Sequence, residues 1–88
     1  MSISGLALKL LIYIALEEHE VTLQRLHAKF SESSYDVTKA LEELINEEMV
    51  IRQKVYEELS HYWVFGATVT GRSFARSLGE ELRDVYVP

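Results

Sequence analysis

The stretch "VTLQRLHAKFSESSYDVTKALEELINEEMVIRQKV", residues 21–55, decides the fold of this 88-residue chain. Residues 21–30 have the spacing of a short helix, and the polar residues 31–34, "SESS", predict a tight turn. Apolar residues at helical spacing then predict a longer helix over about residues 33–47, with a buried stripe of Val37, Ala40, Leu41, Leu44 and Ile45. The β-branched segment that follows predicts a strand. The stretch therefore predicts a helix, a turn, a second helix and a strand.

The ends of these two helices carry recognisable signals. Thr22 is placed to cap the first helix and Ser33 to cap the second, because their hydroxyls can accept a bond from a free backbone N–H. The second helix should end near residues 46–47, since Glu48 would otherwise fall on the apolar side. Asn46 suits that end because asparagine tolerates the left-handed backbone conformation.

The flanking segments complete a single domain that is mostly α-helical with a small β-hairpin. Residues 3–19 predict a first helix, and "MVIRQKVYEE" and "HYWVFGATVT" predict two strands joined by about four residues, "ELSH". Residues 71–88 predict a final helix with Phe74, Leu78, Leu82 and Val85 on its apolar stripe. The first helix is apolar on most sides, so either a monomer's core or a second subunit must cover it. The chain, residues 1–88, is too short for two domains.

Composition excludes several classes of protein. The chain has no cysteine, which rules out disulfides and thiol chemistry and fits a reducing, cytoplasmic setting. The apolar segment 5–16 is too short to span a membrane and carries Lys9 near its middle. His19, His27 and His61 lack the spacing of metal ligands. Because glycine-rich phosphate loops and nucleophile elbows are also missing, we expect no enzyme, no metal and no cofactor.

The order of elements resembles the winged helix-turn-helix superfamily of bacterial, archaeal and viral transcription regulators, over about residues 5–80. The segment 21–55 is similar to their helix–turn–helix–strand core. "ATVTGRSFARSL", residues 67–78, is similar to the passage from the wing into the final helix in MarR-like and PadR-like regulators. Glu48 stands where these regulators usually carry a glycine before the wing.

The resemblance implies a small sequence-specific DNA-binding regulator that pairs as a homodimer through the first and last helices. Its third helix, about 33–47, would enter the major groove of double-stranded DNA with its leading residues at the base edges. The residues expected to contact DNA there are Ser34, Tyr35, Thr38 and Lys39. Cationic side chains from the neighbouring elements would approach the phosphates, namely Arg25, Lys29, Arg52, Lys54 and Arg72.

The acidic charge of the chain keeps a second interpretation open. The net charge is −5 and the pI about 5.1, whereas nucleic-acid-binding domains are usually basic. Glutamates follow Lys39 along the third helix, and Glu57 and Glu58 make the tip of the wing acidic, so we expect the wing to contact DNA weakly or not at all. The alternative is a winged-helix module that binds a basic protein partner and no DNA.

Overall fold

The computed structural model describes the backbone of residues 3–86 and the side chains of residues 3–78. Its elements, in chain order, are α1 (Gly5–Leu16), β1 (Val21–Thr22), α2 (Leu23–Lys29), α3 (Ser34–Asn46), β2 (Val50–Glu57), β3 (Ser60–Ala67) and α4 (Val69–Tyr86). The predicted order of four helices and a hairpin is confirmed. The two-residue strand β1 was not predicted, because its sequence is too short to show an alternating pattern.

Helix α1 is shorter than the predicted range of 3–19. It begins after Ser4, whose hydroxyl accepts a bond of 3.1 Å from the Ala7 N–H. It ends at Leu16, because the Glu17 carboxylate accepts bonds from the N–H groups of Glu18 and His19 and draws the backbone out of the helix. Leu16 itself is 76% exposed, so the last residue of α1 lies outside the core.

Both predicted helix caps of the helix-turn-helix segment are confirmed. The Thr22 hydroxyl accepts from the Arg25 N–H at 3.2 Å, and the Ser33 hydroxyl accepts from the Asp36 N–H at 3.1 Å. Each cap stabilises its helix by satisfying a backbone donor that has no partner within the helix. The cap at Ser33 fixes the direction in which the first turn of α3 leaves the tight turn.

The left-handed residue after α3 is Glu48, with φ of 58°, so the expectation that asparagine would supply this conformation is wrong. The Glu48 N–H donates to the Ile45 carbonyl and the Met49 N–H to the Leu44 carbonyl. This pair of bonds is a Schellman motif, in which the residue after the helix cap must be left-handed. Met49 and Leu44 are both fully buried, which anchors the start of the hairpin to the end of α3.

The sheet has the strand order β1-β3-β2, with both pairs antiparallel. Val50 pairs with Ala67 at the base of the hairpin and Glu57 pairs with Ser60 at its tip. The turn therefore consists of Glu58 and Leu59 alone, rather than the four residues that the sequence predicted. Strand β1 covers only Val64 and Phe65 of β3.

The core lies between α1, α3 and the base of the hairpin. Its fully buried large side chains are Leu10, Leu11, Leu26, Val37, Leu44 and Met49. Tyr13 of α1 meets Phe30, after α2, edge to face at 5.7 Å between ring centroids. No helix within residues 3–86 is long and apolar enough to cross a membrane.

Helix α4 begins two residues before its predicted start at residue 71. The Thr68 hydroxyl accepts from the Gly71 N–H and donates to the Glu48 carbonyl, so it closes the base of the hairpin while it caps α4. Phe74 packs against the core as predicted. The side chains of Leu82 and Val85, and all of residues 87–88, lie outside the part of the chain that the structure describes.

Candidate nucleic-acid interface

The side of α3 opposite the core is exposed along its length. Val37, Ala40, Leu41 and Leu44 are buried, whereas all four α3 residues that the sequence predicted at DNA are exposed, namely Ser34, Tyr35, Thr38 and Lys39. Tyr35 is 72% exposed, although its ring is large and apolar. An exposed tyrosine on a leading helical turn is a group that a binding partner can cover.

The two glutamates of α3, Glu42 and Glu43, have different surroundings. Glu43 accepts a bond of 2.7 Å from the Ser4 hydroxyl, which holds its carboxylate beside the N-terminus of α1. Glu42 is exposed three residues after Lys39, on the same side of the helix as Tyr35. The positive charge of the exposed side of α3 is thus confined to its leading half.

Arg25 is engaged within the chain, unlike the other predicted phosphate contacts. Its guanidinium lies 3.3 Å from the Glu17 carboxylate and donates to the Glu20 carbonyl at 2.7 Å. The pKa of Glu17 is lowered, chiefly by the hydrogen bond from the His19 backbone N–H, and Arg25 adds to that effect. These contacts fasten α2 to the loop between α1 and β1. Lys29, at the other end of α2, is exposed.

The hairpin has two chemically different faces, because successive residues of a strand point to opposite sides and cross-strand partners share a side. One side carries Arg52, Lys54 and Tyr56 of β2 together with Trp63 and His61 of β3. We call these five residues the basic–aromatic face. The other side carries Glu57 and Tyr62, and the Tyr62 hydroxyl lies 3.1 Å from a Glu20 carboxylate oxygen and 3.4 Å from one of Glu57.

The tyrosine on the acidic side responds to these surroundings. Burial raises the pKa of Tyr62 above its ordinary value, and the hydrogen bond to Glu20 raises it further. The hydroxyl therefore stays protonated and can donate a hydrogen bond to either carboxylate. Glu57 and Tyr62 lie on the face of the sheet opposite to that of Arg52 and Lys54.

Two cations lie over one indole ring in the basic–aromatic face. The Arg52 guanidinium carbon lies 4.9 Å from the centroid of the Trp63 ring, and the Lys54 ammonium nitrogen lies 5.4 Å from it. The Lys54 ammonium also lies 5.8 Å from the Tyr56 ring. Within residues 3–78 the single side-chain ion pair is Arg25 with Glu17, so no carboxylate there neutralises Arg52 or Lys54.

Arg72 lies apart from this pair. It is exposed near the start of α4 and lines a cavity of about 230 Å³. Ile51, Gln53 and Val64 also line that cavity, and their strand positions belong to the side of the sheet opposite Arg52 and Lys54. The structure therefore brings Arg52 and Lys54 together and separates Arg72 from them.

Sequence reasoning missed the aromatic part of the hairpin site. No role was predicted for Trp63, which the structure places on the same face as Arg52 and Lys54. The alternation of Arg52, Lys54 and Tyr56 was visible in the sequence. Only the register, which pairs Lys54 with Trp63, shows that the cations and the rings lie on one face.

No family model matches the chain, and no curated protein sequence matches it either. Among solved structures, a double mutant of Lactococcus lactis ZitR matches with a TM-score of 0.80 and 18% identity. That match covers 96% of this chain and 56% of the ZitR chain.

Another neighbour is a mutant of MepR from a multidrug-resistant S. aureus clinical isolate, with a TM-score of 0.75 and 14% identity over 94% of this chain and 65% of that one. The fold is the winged helix-turn-helix. At these identities the likeness concerns the fold alone. The chain spans between about half and two thirds of the length of these winged-helix neighbours.

Proposed function

We propose that this winged-helix chain is a small sequence-specific DNA-binding transcription regulator, with α3 inserted in the major groove. The observation that carries the proposal is the exposed leading half of α3, with Tyr35 and Lys39 uncovered on a helix-turn-helix frame. The structural neighbours ZitR and MepR are DNA-binding transcription regulators and not enzymes. That supports both the proposal and the expectation that this chain has no enzymatic activity.

The contacts divide by chemistry. Ser34, Tyr35, Thr38 and Lys39 lead into the groove, where hydroxyl and ammonium groups can meet base edges and phosphates. Arg25, Lys29, Arg52, Lys54 and Arg72 supply the phosphate contacts. Arg52 and Lys54 are the strongest of these because they lie together at the Trp63 ring and no carboxylate within residues 3–78 pairs with them. Arg25 would have to leave Glu17 to reach a phosphate, so its contribution is the smallest.

A titration of the full chain with fluorescent duplexes tests the proposal. Binding should be detectable at low salt and should fall steeply as salt rises, because each neutralised phosphate releases counterions. Lys39→Glu should weaken binding at least tenfold. Lys9→Glu is the matched control, since Lys9 is also exposed, is not among the predicted DNA contacts, and its substitution changes the net charge by the same amount.

Selected and random duplexes separate specific from general binding. A selected duplex should bind more tightly than a random one at moderate salt, where the phosphate contribution is reduced. If neither duplex binds at low salt, the proposal is wrong. If Lys9→Glu weakens binding as much as Lys39→Glu does, the effect is one of net charge and α3 is not the contact.

The second candidate function is a module that binds a basic protein. The acidic side of the hairpin favours it, because Glu20 and Glu57 converge there around the Tyr62 hydroxyl. Under this alternative, Lys39→Glu leaves the partner complex intact, whereas Glu57→Lys disrupts it. A stable complex with a basic protein, combined with no shift of any duplex, would favour the module over the regulator.

We further propose that the regulator works in the cytoplasm as a homodimer that joins through α1 and α4. The neighbours typically act as dimers, and a two-fold pair would present two α3 helices to a roughly palindromic site. The exposed apolar side chains Leu16, at the end of α1, and Val69, at the start of α4, fit such a contact.

A further inference from the structure

We infer that Trp63 is a positioning residue, which holds Arg52 and Lys54 as a pre-arranged pair of cations for the phosphate backbone of bound DNA. The inference rests on the proposed function and deepens it. It concerns the basic–aromatic face of the β2–β3 hairpin, and not the acidic residue Glu58 at the hairpin turn. It assigns a phosphate contact to this face, although Glu57 and Glu58 make the tip of the hairpin acidic.

The position of Trp63 makes it an anchor for both cations. It pairs directly with Lys54 across the strands and lies two pairs along the ladder from Arg52, which faces Phe65 on the same side of the sheet. Arg52 and Lys54 are two residues apart on the same side of β2, so their like charges repel each other. The single ring, 4.9 Å from one cation and 5.4 Å from the other, offsets that repulsion through its negatively charged face.

Trp63 is not needed to fill the core. Its side chain is 41% exposed and it does not belong to the hydrophobic cluster around α1 and α3. The aliphatic stems of Arg52 and Lys54 can cover the ring while their charged ends stay in water. Trp63 therefore contributes to the surface of the hairpin, where it contacts the two cations, and not to the core.

The arrangement lowers the cost of contacting a polyanion. A free arginine or lysine loses much rotamer freedom when it binds a phosphate, and this loss opposes binding. Stacking on Trp63 removes part of that freedom before DNA arrives. No carboxylate within residues 3–78 competes for the two cations, in contrast to Arg25 with its bond to Glu17. The pair is therefore both ordered and unneutralised.

The decisive measurement is a double-mutant cycle on the full chain, read by duplex affinity at low salt. Trp63→Leu should weaken binding by about threefold to tenfold, because the cations lose their support. Trp63→Phe should recover most of that affinity, since its ring also attracts cations. In the background Arg52→Gln with Lys54→Gln, Trp63→Leu should change affinity by less than about twofold, since no cation is left to position.

Trp63 also reports on its own surroundings, since it is the only tryptophan of the chain. Its emission in the free protein should shift when Arg52 and Lys54 are replaced by glutamine and stay unchanged with Lys9→Gln. Urea unfolding of each variant should show that the fold is kept.

The outcomes separate this inference from the proposed function. A parent chain that binds no duplex overturns both. A parent that binds, with Trp63→Leu unchanged, overturns the positioning role alone, and so does an equal loss from Trp63→Leu with and without the two cations. Loss that Phe does not recover would assign Trp63 a direct contact and would also overturn the inference.

Discussion

Glu48 carries a backbone conformation that L-amino acids avoid, with φ of 58°. Its N–H donates to the Ile45 carbonyl and its carbonyl accepts from the Thr68 hydroxyl. Both bonds use the Glu48 backbone only, so its side chain adds no hydrogen bond to the motif. The position therefore requires a backbone conformation that glycine adopts without steric cost.

Replacing Glu48 by glycine should stabilise the chain by about 0.5–1 kcal/mol, because the left-handed strain disappears while part of the gain is lost to the freer unfolded chain. Thermal unfolding would detect a rise of roughly 2–8 °C for a domain of this size. Glu48→Ala is the control, since it removes the charge and keeps the Cβ. Equal stabilisation by both variants would mean that the charge, and not the backbone, was the source.

Gly71 is required for a different reason, which is close packing and not its backbone conformation. A Cβ at this position would overlap the Met49 carbonyl oxygen and lie 2.9 Å from the carbonyl carbon and 3.2 Å from a Leu11 methyl group. Gly71→Ala should therefore destabilise the fold by about 2–4 kcal/mol. Gly5→Ala, with nothing within 4 Å of the added atom, should be neutral or stabilising by up to about 1 kcal/mol in urea unfolding. A tolerated Gly71→Ala would show that α4 does not pack this closely on the hairpin.

Glu17 gives the chain a contribution to stability that depends on pH. Its pKa in the folded chain lies below the ordinary 4.5, so the folded state favours the ionised carboxylate. The stabilisation is present above the unfolded value and is lost as the pH falls through the folded value. Glu17→Gln should lower the free energy of unfolding at neutral pH, and this effect should disappear once the pH lies below the folded pKa of Glu17. Glu18→Gln is the control, and a constant effect of Glu17→Gln over this range would contradict the assignment.

At the scale of elements, the sequence predicted helices well where their caps are local. Thr22 and Ser33 both cap as predicted, and α3 ends at Asn46, because apolar spacing and neighbouring hydroxyls act within a few residues. The features that were missed depend on distant partners. Strand β1 exists because Val21 and Thr22 meet Phe65 and Val64, and the basic–aromatic face exists because β3 pairs with β2 in one register.

The cap of α3 provides a prediction at this scale. Ser33→Ala should destabilise the chain by about 1 kcal/mol, because the Asp36 N–H loses its acceptor at the start of α3. Ser33→Asp should retain the stability, since aspartate caps equally well. Ser34→Ala, one residue later, removes only a 3.4 Å contact with His27 and serves as the control in thermal unfolding. A larger loss from Ser34→Ala than from Ser33→Ala would contradict the assignment of Ser33 as the cap.

At the scale of the whole molecule, a net charge of −5 and DNA binding are compatible because the charges are segregated. Arg52 and Lys54 share one side of the hairpin, whereas Glu57 and Glu20 meet on the other. Glu43 is held at Ser4, beside the N-terminus of α1. A polyanion that approaches the leading half of α3 and the basic–aromatic face therefore meets a local field that the net charge does not describe.

The proposed homodimer is tested by the exposed apolar residues. Leu16 and Val69 are 76% and 83% exposed on the two helices assigned to the contact, whereas Leu59 is 100% exposed at the hairpin turn. Burying an apolar side chain drives association, and a lysine in its place opposes burial. Leu16→Lys with Val69→Lys should raise the dissociation constant at least tenfold in sedimentation equilibrium, and Leu59→Lys should leave it unchanged. A parent chain that stays monomeric at every concentration would rule out the homodimer. Dissociation by Leu59→Lys, with no effect of Leu16→Lys and Val69→Lys, would place α1 and α4 outside the contact.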